Sequence, residues 1–84
     1  CVMKTDRAKL NSQIHELIKQ HAAKADAIIT EETRLDELGV DSSDLMEIIF
    51  RLEEEYGVEI SVEGLAGRET LGDIVDYAFK MITA

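Results

Sequence analysis

The residues of this chain best suited to chemistry sit together as Asp41-Ser42-Ser43-Asp44, with Glu47 one helical turn further on. A serine hydroxyl can attack a substrate when a base takes its proton and an oxyanion site holds the product. It can also be the point at which another enzyme attaches a group. The first role lacks its machinery here. His15 and His21 have no evident orienting partner in the sequence, and the Gly-x-Ser-x-Gly elbow is absent. Dense acids next suggest calcium. The window Asp36 to Glu47 has the twelve-residue length of an EF-hand loop, but Leu38 and Val40 stand at its third and fifth positions and cannot ligate. Its sixth position is Asp41, where glycine is needed. Cys1 is the single cysteine, so neither an intrachain disulfide nor a thiolate metal set can form. No catalytic residue and no metal-ligating residue is expected. Ser42 reads instead as a hydroxyl that is modified. A phosphodiester there would lie at the positive end of a helix. Asp41 and Asp44 would partly repel it, and make more sense as handles for a basic partner.

A serine used in this way must be held at a loop-to-helix junction, and the apolar spacing supplies one. Leu10, Ile14, Leu17, Ile18 and Ala22 mark one face of a first helix, from about Asp6 to Lys24. His15 and His21 fall off that stripe and are expected to face solvent. A long connection follows, from about Ala25 to Val40, anchored by Ile28, Ile29, Leu35 and Leu38, with room for a short turn inside it. The second helix is predicted over Ser42 to Tyr56, with Asp41 or Ser42 as N-cap and Gly57 just past its end. Leu45, Ile48, Ile49, Leu52 and Tyr56 form its buried stripe. Met46 and Phe50 lie to one side, either core or an exposed apolar strip. Val58 and Ile60 read as a short extended piece. Ser61 can cap a short helix or turn through Leu65, ending near Gly67. Thr70-Leu71-Gly72-Asp73 has the form of a capping box with Asp in place of Glu, and opens a last helix with Leu71, Ile74, Val75, Ala78, Phe79 and Ile82 on its apolar face. No segment alternates long enough to require a sheet. The expected fold is all-α, a small bundle of three main helices and one short third helix.

Size and charge narrow the function further. The chain has 84 residues, enough for one small domain with a thin core, and residues 1–5 are expected to fray. A catalytic cleft is hard to build at this size. No apolar run is long enough to span a membrane and no signal-peptide pattern is visible, so a cytoplasmic monomer is expected. The net charge is -9. Residues 26–69 hold fourteen acids against Arg34, Arg51 and Arg68, whereas residues 1–25 carry an excess of bases. The acidity thus gathers around Ser42. Nucleic acid is excluded as a natural partner, because phosphate backbones need clustered Lys and Arg. Basic protein surfaces are favoured.

Leu38-Gly39-Val40-Asp41-Ser42, the acidic helix through Glu55 and the ending Leu52-Glu53-Glu54-Glu55-Tyr56-Gly57-Val58-Glu59-Ile60 resemble an acyl carrier protein. The resemblance is strongest from Leu35 to Ile60 and extends loosely over the whole chain. It implies a single carrier domain of the four-helix family fold. It implies that Ser42 carries 4′-phosphopantetheine, delivered from coenzyme A by a separate phosphopantetheinyl transferase. The arm's thiol then holds an acyl group as a thioester for fatty-acid, polyketide or related biosynthetic enzymes. The implied partners are acyl-transferring, condensing or ligase enzymes with basic docking surfaces. Asp41, Asp44, Glu47, Glu53 and Glu54 would meet those surfaces, with apolar contact from Met46 and Phe50. Ile48, Leu52 and Ile60 would line the acyl chain's shelter or simply pack the core. Other readings on the same residues are a carrier of amino acids or other non-fatty cargo, and an unmodified acidic helical adaptor. Ser43 stands where the family most often has leucine, the proline near the third helix is missing, and Arg51 interrupts the acidic helix. These departures point to a specialised member rather than the housekeeping fatty-acid carrier.

Overall fold

Asp6 starts the first helix: its carboxylate accepts the backbone N–H of Lys9 at 2.7 Å and satisfies one of the donors that a helix start leaves bare. In the computed structural model, which describes residues 5–22 and 28–84, helix α1 runs Arg7–His21. Leu10, Ile14 and Ile18 are fully buried along it. The helix stops at His21 because Ala22 is extended, short of the expected end at Lys24, which lies outside the described residues. The sequence predicts fraying through residue 5. Cys1–Lys4 lie outside the described residues, but Thr5 is buried and its hydroxyl donates to the Asp6 carbonyl.

Helix α2 runs Ser42–Tyr56, as the spacing predicts. Gly57 ends it with φ 64° and donates its N–H to Glu53 at 2.8 Å, a left-handed turn that a side chain would strain. Helix α3 runs Leu71–Thr83 behind the predicted capping box, in which Thr70 and Asp73 cap each other's backbone. Between α2 and α3, Ser61 caps a single 3-10 turn, Val62–Leu65. This turn is the short third helix of the expected bundle. Among the described residues the fold is otherwise helical, apart from one isolated bridge pairing Arg34 with Thr70.

The helices share one core. Ile14, Ile18, Ile48, Ile49, Leu52, Leu71, Ile74 and Val75 are almost wholly removed from water. The long connection carries its own 3-10 turn, Asp36–Leu38, and Leu35, Leu38 and Val40 anchor it in the core. Ile28 does not anchor it, since 88% of its surface is exposed. Ile29 packs against the core instead. The path of the connection leaves Ile28 in solvent and brings Ile29, partly buried, against the core. The connection is also tied to the start of α3. Leu35 donates to the Glu69 carbonyl, Leu71 to Thr33 and Gly72 to Glu31, at 2.9–3.1 Å.

Ion pairs reinforce the same seam. Arg7 bridges Glu31 at 2.6 Å and Asp76 at 2.8 Å, and Arg34 bridges Asp36 at 3.1 Å and Glu69 at 2.8 Å. These guanidiniums hold Glu31 and Asp36 below the usual carboxylate range. All four pairs are well exposed, so each adds little stability and less in salt.

Asp73 gives a sharper pH test. It is held below its ordinary value of 3.8, chiefly by the backbone N–H of Glu69 and then that of Thr70, both at 3.1 Å. A carboxylate with a lowered pKa in the folded state stabilises above its unfolded pKa, and that contribution is lost as pH falls through the folded one. Asp73→Asn keeps an acceptor and removes the charge. The variant is expected to melt below the wild type at pH 7, with the gap closing as pH falls below about 4. Thermal melts across pH 3–7 check this, and a gap that does not change with pH would rule out the charge.

Candidate functional site

Ser42 is the first residue of α2, and its side chain is exposed. Asp41 precedes it as N-cap. The Asp41 carboxylate accepts the N–H of Asp44 at 3.0 Å, and the Asp44 carboxylate accepts the N–H of Asp41 at 3.0 Å. The two acids nearest Ser42 therefore hold the end of the helix. The N–H of Asp41 is the main reason that Asp44 lies below the usual carboxylate range, with His21 adding to it.

His21 is where the structure departs most from the sequence expectation. It does not face solvent. Its Nδ1 lies 3.1 Å from Asp44 Oδ1 and its Nε2 lies 3.5 Å from Glu47 Oε2. The end of α1 is thus set against the start of α2, because α1 stops where its last turn meets the first turn of α2. His15 is also held: its Nε2 lies 3.1 Å from the Ile29 carbonyl, to which only an N–H can donate.

Ser42 lines a groove of about 210 Å³ together with Arg34, Leu35, Asp36, Val40, Asp41, Leu45, Arg68 and Glu69. A larger groove of about 470 Å³ runs between α1 and α2, lined by Ser12, Gln13, Glu16, Leu17, Arg51, Leu52 and Glu55. It does not include Ser42. Of the two grooves, only the smaller is lined by Ser42.

The other acids of α2 have different duties. Glu53 is half-buried and accepts the N–H of Ile60 at 2.8 Å, so it pins the chain that leaves the helix. Glu47 and Glu54 are exposed. Met46 and Phe50 are 44% and 58% exposed, which makes them a surface strip and not core. Ile48, Leu52 and Ile60 are buried within the one core cluster. Of these three, Leu52 alone lines one of the two grooves, on the α1 side.

Sequence reasoning missed a cluster built around Arg68, which lines the same groove as Ser42. Arg68 Nε donates to the Gly64 carbonyl at 2.8 Å and its Nη1 to the Asp73 carbonyl at 3.2 Å. Its guanidinium lies 4.8 Å from the centre of the Tyr77 ring, on the ring face. The Tyr77 hydroxyl donates to the Ser61 carbonyl. The one signal in the sequence was Gly64 itself, four residues before an arginine, and it reads equally well as a weak spot in a short helix.

The matching family model is described as "Phosphopantetheine attachment site", and it covers residues 12–78. Among curated proteins, an acyl carrier protein of Clostridium perfringens is 48% identical over 52 residues, 62% of this chain and 68% of the relative. An acyl carrier protein of Thermotoga maritima is 34% identical over 77 residues, 90% of this chain and 95% of the relative. A meromycolate extension acyl carrier protein of Mycobacterium leprae is 35% identical over 80 residues, 94% of this chain and 70% of the relative.

Proposed function

Because the chain belongs to the acyl carrier protein family, we propose that Ser42 is the attachment point of 4′-phosphopantetheine and that α2 presents the loaded arm to partner enzymes. The observation that carries this reading is the placement of Ser42. It is exposed, it is the first residue of a capped helix, and it opens onto a groove within the span matched by the family.

When bound, the arm supplies a thiol that holds an acyl group as a thioester. The chemistry then belongs to the arm and the partner enzymes, and this chain positions and addresses it. The residues present fit such an arm. The groove is lined by apolar Leu35, Val40 and Leu45, by Arg68 and by Ser42 itself. Residues 1–84 are read as one carrier domain. Among the described residues, no helix is long and apolar enough to cross a membrane.

Partner choice follows from the exposed face of α2. Glu47 and Glu54 offer charge, and Met46 and Phe50 offer apolar contact. Asp41 and Asp44 add to the negative field while they cap the helix. The partners are a phosphopantetheinyl transferase and acyl-transferring, condensing or ligase enzymes with basic surfaces. Exposed charges of this kind act mainly on the rate of encounter. Glu47→Lys is therefore expected to lower kcat/KM for loading by about threefold to tenfold at low salt, with the gap narrowing as salt is added. Loading rates measured at two ionic strengths check this, and an unchanged rate would remove Glu47 from the docking face.

The function itself is tested by incubating the protein with coenzyme A, magnesium and a phosphopantetheinyl transferase. The intact mass is expected to rise by one arm. Failure with several transferases would leave an unmodified adaptor as the better account. The mass of the protein from its own cell identifies the cargo.

A further inference from the structure

The groove beside Ser42 is lined by Arg34, Asp36, Asp41, Arg68 and Glu69 as its charged residues. Four of them have partners. Arg34 is shared by Asp36 and Glu69, and Asp41 caps α2. Arg68 is left over. Among the described residues it contacts two backbone carbonyls and an aromatic face, but it forms no ion pair. The Asp73 carboxylate feels its charge only without a contact. Of the two cations that line this groove, Arg34 is held by carboxylates and Arg68 is not, which leaves Arg68 available to another anion.

We propose that Arg68 holds the phosphodiester that joins the arm to Ser42. This rests on the reading of Ser42 given above. A guanidinium has five N–H donors. Arg68 uses one on Nε and one on Nη1, which leaves donors on both terminal nitrogens. A phosphodiester has two non-bridging oxygens, and a guanidinium fork matches such a pair better than an ammonium does. The Gly64 and Asp73 carbonyls and the Tyr77 ring fix the fork's orientation in advance, so little side-chain freedom remains to be lost on binding. Arg68 is a positioning residue. It reduces the swing of the arm's first bonds and offsets the repulsion from Asp41 and Asp44.

The test compares apo and loaded protein, for wild type and Arg68→Gln. Any effect of the substitution on the apo fold is subtracted in this cycle. Loading is expected to change the melting temperature more favourably in the wild type than in the variant, by about 2–6 °C. Arg68→Lys, which keeps the charge and loses the fork, is expected to fall between them. Equal changes in all three proteins overturn the proposal. A second measurement needs no variant. In ¹⁵N-labelled wild type the Arg68 Nε–H signal is expected to move on loading, and a signal that stays in place overturns the proposal even if Arg68→Gln does not fold. A normal gain in mass with an unmoved Arg68 sinks this inference alone. Absence of any gain in mass sinks the reading of Ser42 along with it.

Discussion

Ser42→Ala is expected to keep its unmodified mass after incubation with transferase and coenzyme A, while Ser43→Ala gains one arm as the wild type does. Both serines are exposed, so exposure alone does not choose between them. Direction does. Adjacent residues of a helix point about 100° apart, and Ser42 lines the groove that Ser43 does not. The loss should be complete, because the transfer needs an oxygen nucleophile at one position and alanine has none. It should also leave the fold intact. Asp41, not Ser42, caps α2, and alanine is the best helix former, so the stability change is expected to stay within about 0.5 kcal/mol. An unchanged melting temperature with no gain in mass thus separates lost chemistry from lost structure. The reverse pattern, with Ser43→Ala silent and Ser42→Ala loaded, would move the site by one residue.

The second large effect is structural. Gly64→Ala is expected to destabilise the fold by about 1–3 kcal/mol, enough to lower the melting temperature of a domain this small by several degrees. Glycine to alanine usually stabilises slightly where the backbone permits, because the unfolded chain loses freedom. Here the sign reverses. A Cβ at Gly64 would overlap the Tyr77 ring, well inside the contact distance of its carbons and its hydroxyl oxygen. The ring cannot move away cheaply, since its hydroxyl is bound to Ser61 and Arg68 lies on its face. Displacing it breaks both contacts. The cause can be isolated by repeating the substitution in a Tyr77→Ala background, where Gly64→Ala is expected to add almost nothing. Urea or thermal unfolding of the four proteins checks this. A neutral Gly64→Ala would mean that the ring does not press on the turn.

The main frame was legible in the sequence because the second and last helices announce themselves twice, by apolar spacing and by cap, while the first shows itself by its spacing alone. Asp41 with Gly57 brackets α2, and Thr70 with Asp73 opens α3. The position of Ser42 follows from the same signals. Contacts between elements were not legible. His21 looked solvent-facing because it lies off the stripe of α1, and nothing local says that α1 ends against α2. Ile28 and Ile29 are equally apolar, and only the path of the chain decides which is buried. Glu53 reads as one more surface acid until Ile60 folds back onto it. Arg68 and Tyr77 are nine residues apart, and their stacking depends on the 3-10 turn lying across α3.

The capping box at the start of α2 limits how this surface can change. On the proposed docking face, Asp41 and Asp44 each contribute charge as well as a bond to the helix end. A change of partner that called for less charge there could pass through asparagine or serine, which still cap, but not through lysine or leucine, which do not. Glu47 and Glu54 do not cap the helix, so the fold itself restricts them less, although Glu47 meets His21 at 3.5 Å. If the proposed docking face is the carrier's address, it has a fixed portion beside the serine and a more variable portion farther along the helix, and new specificities are most easily acquired in the second.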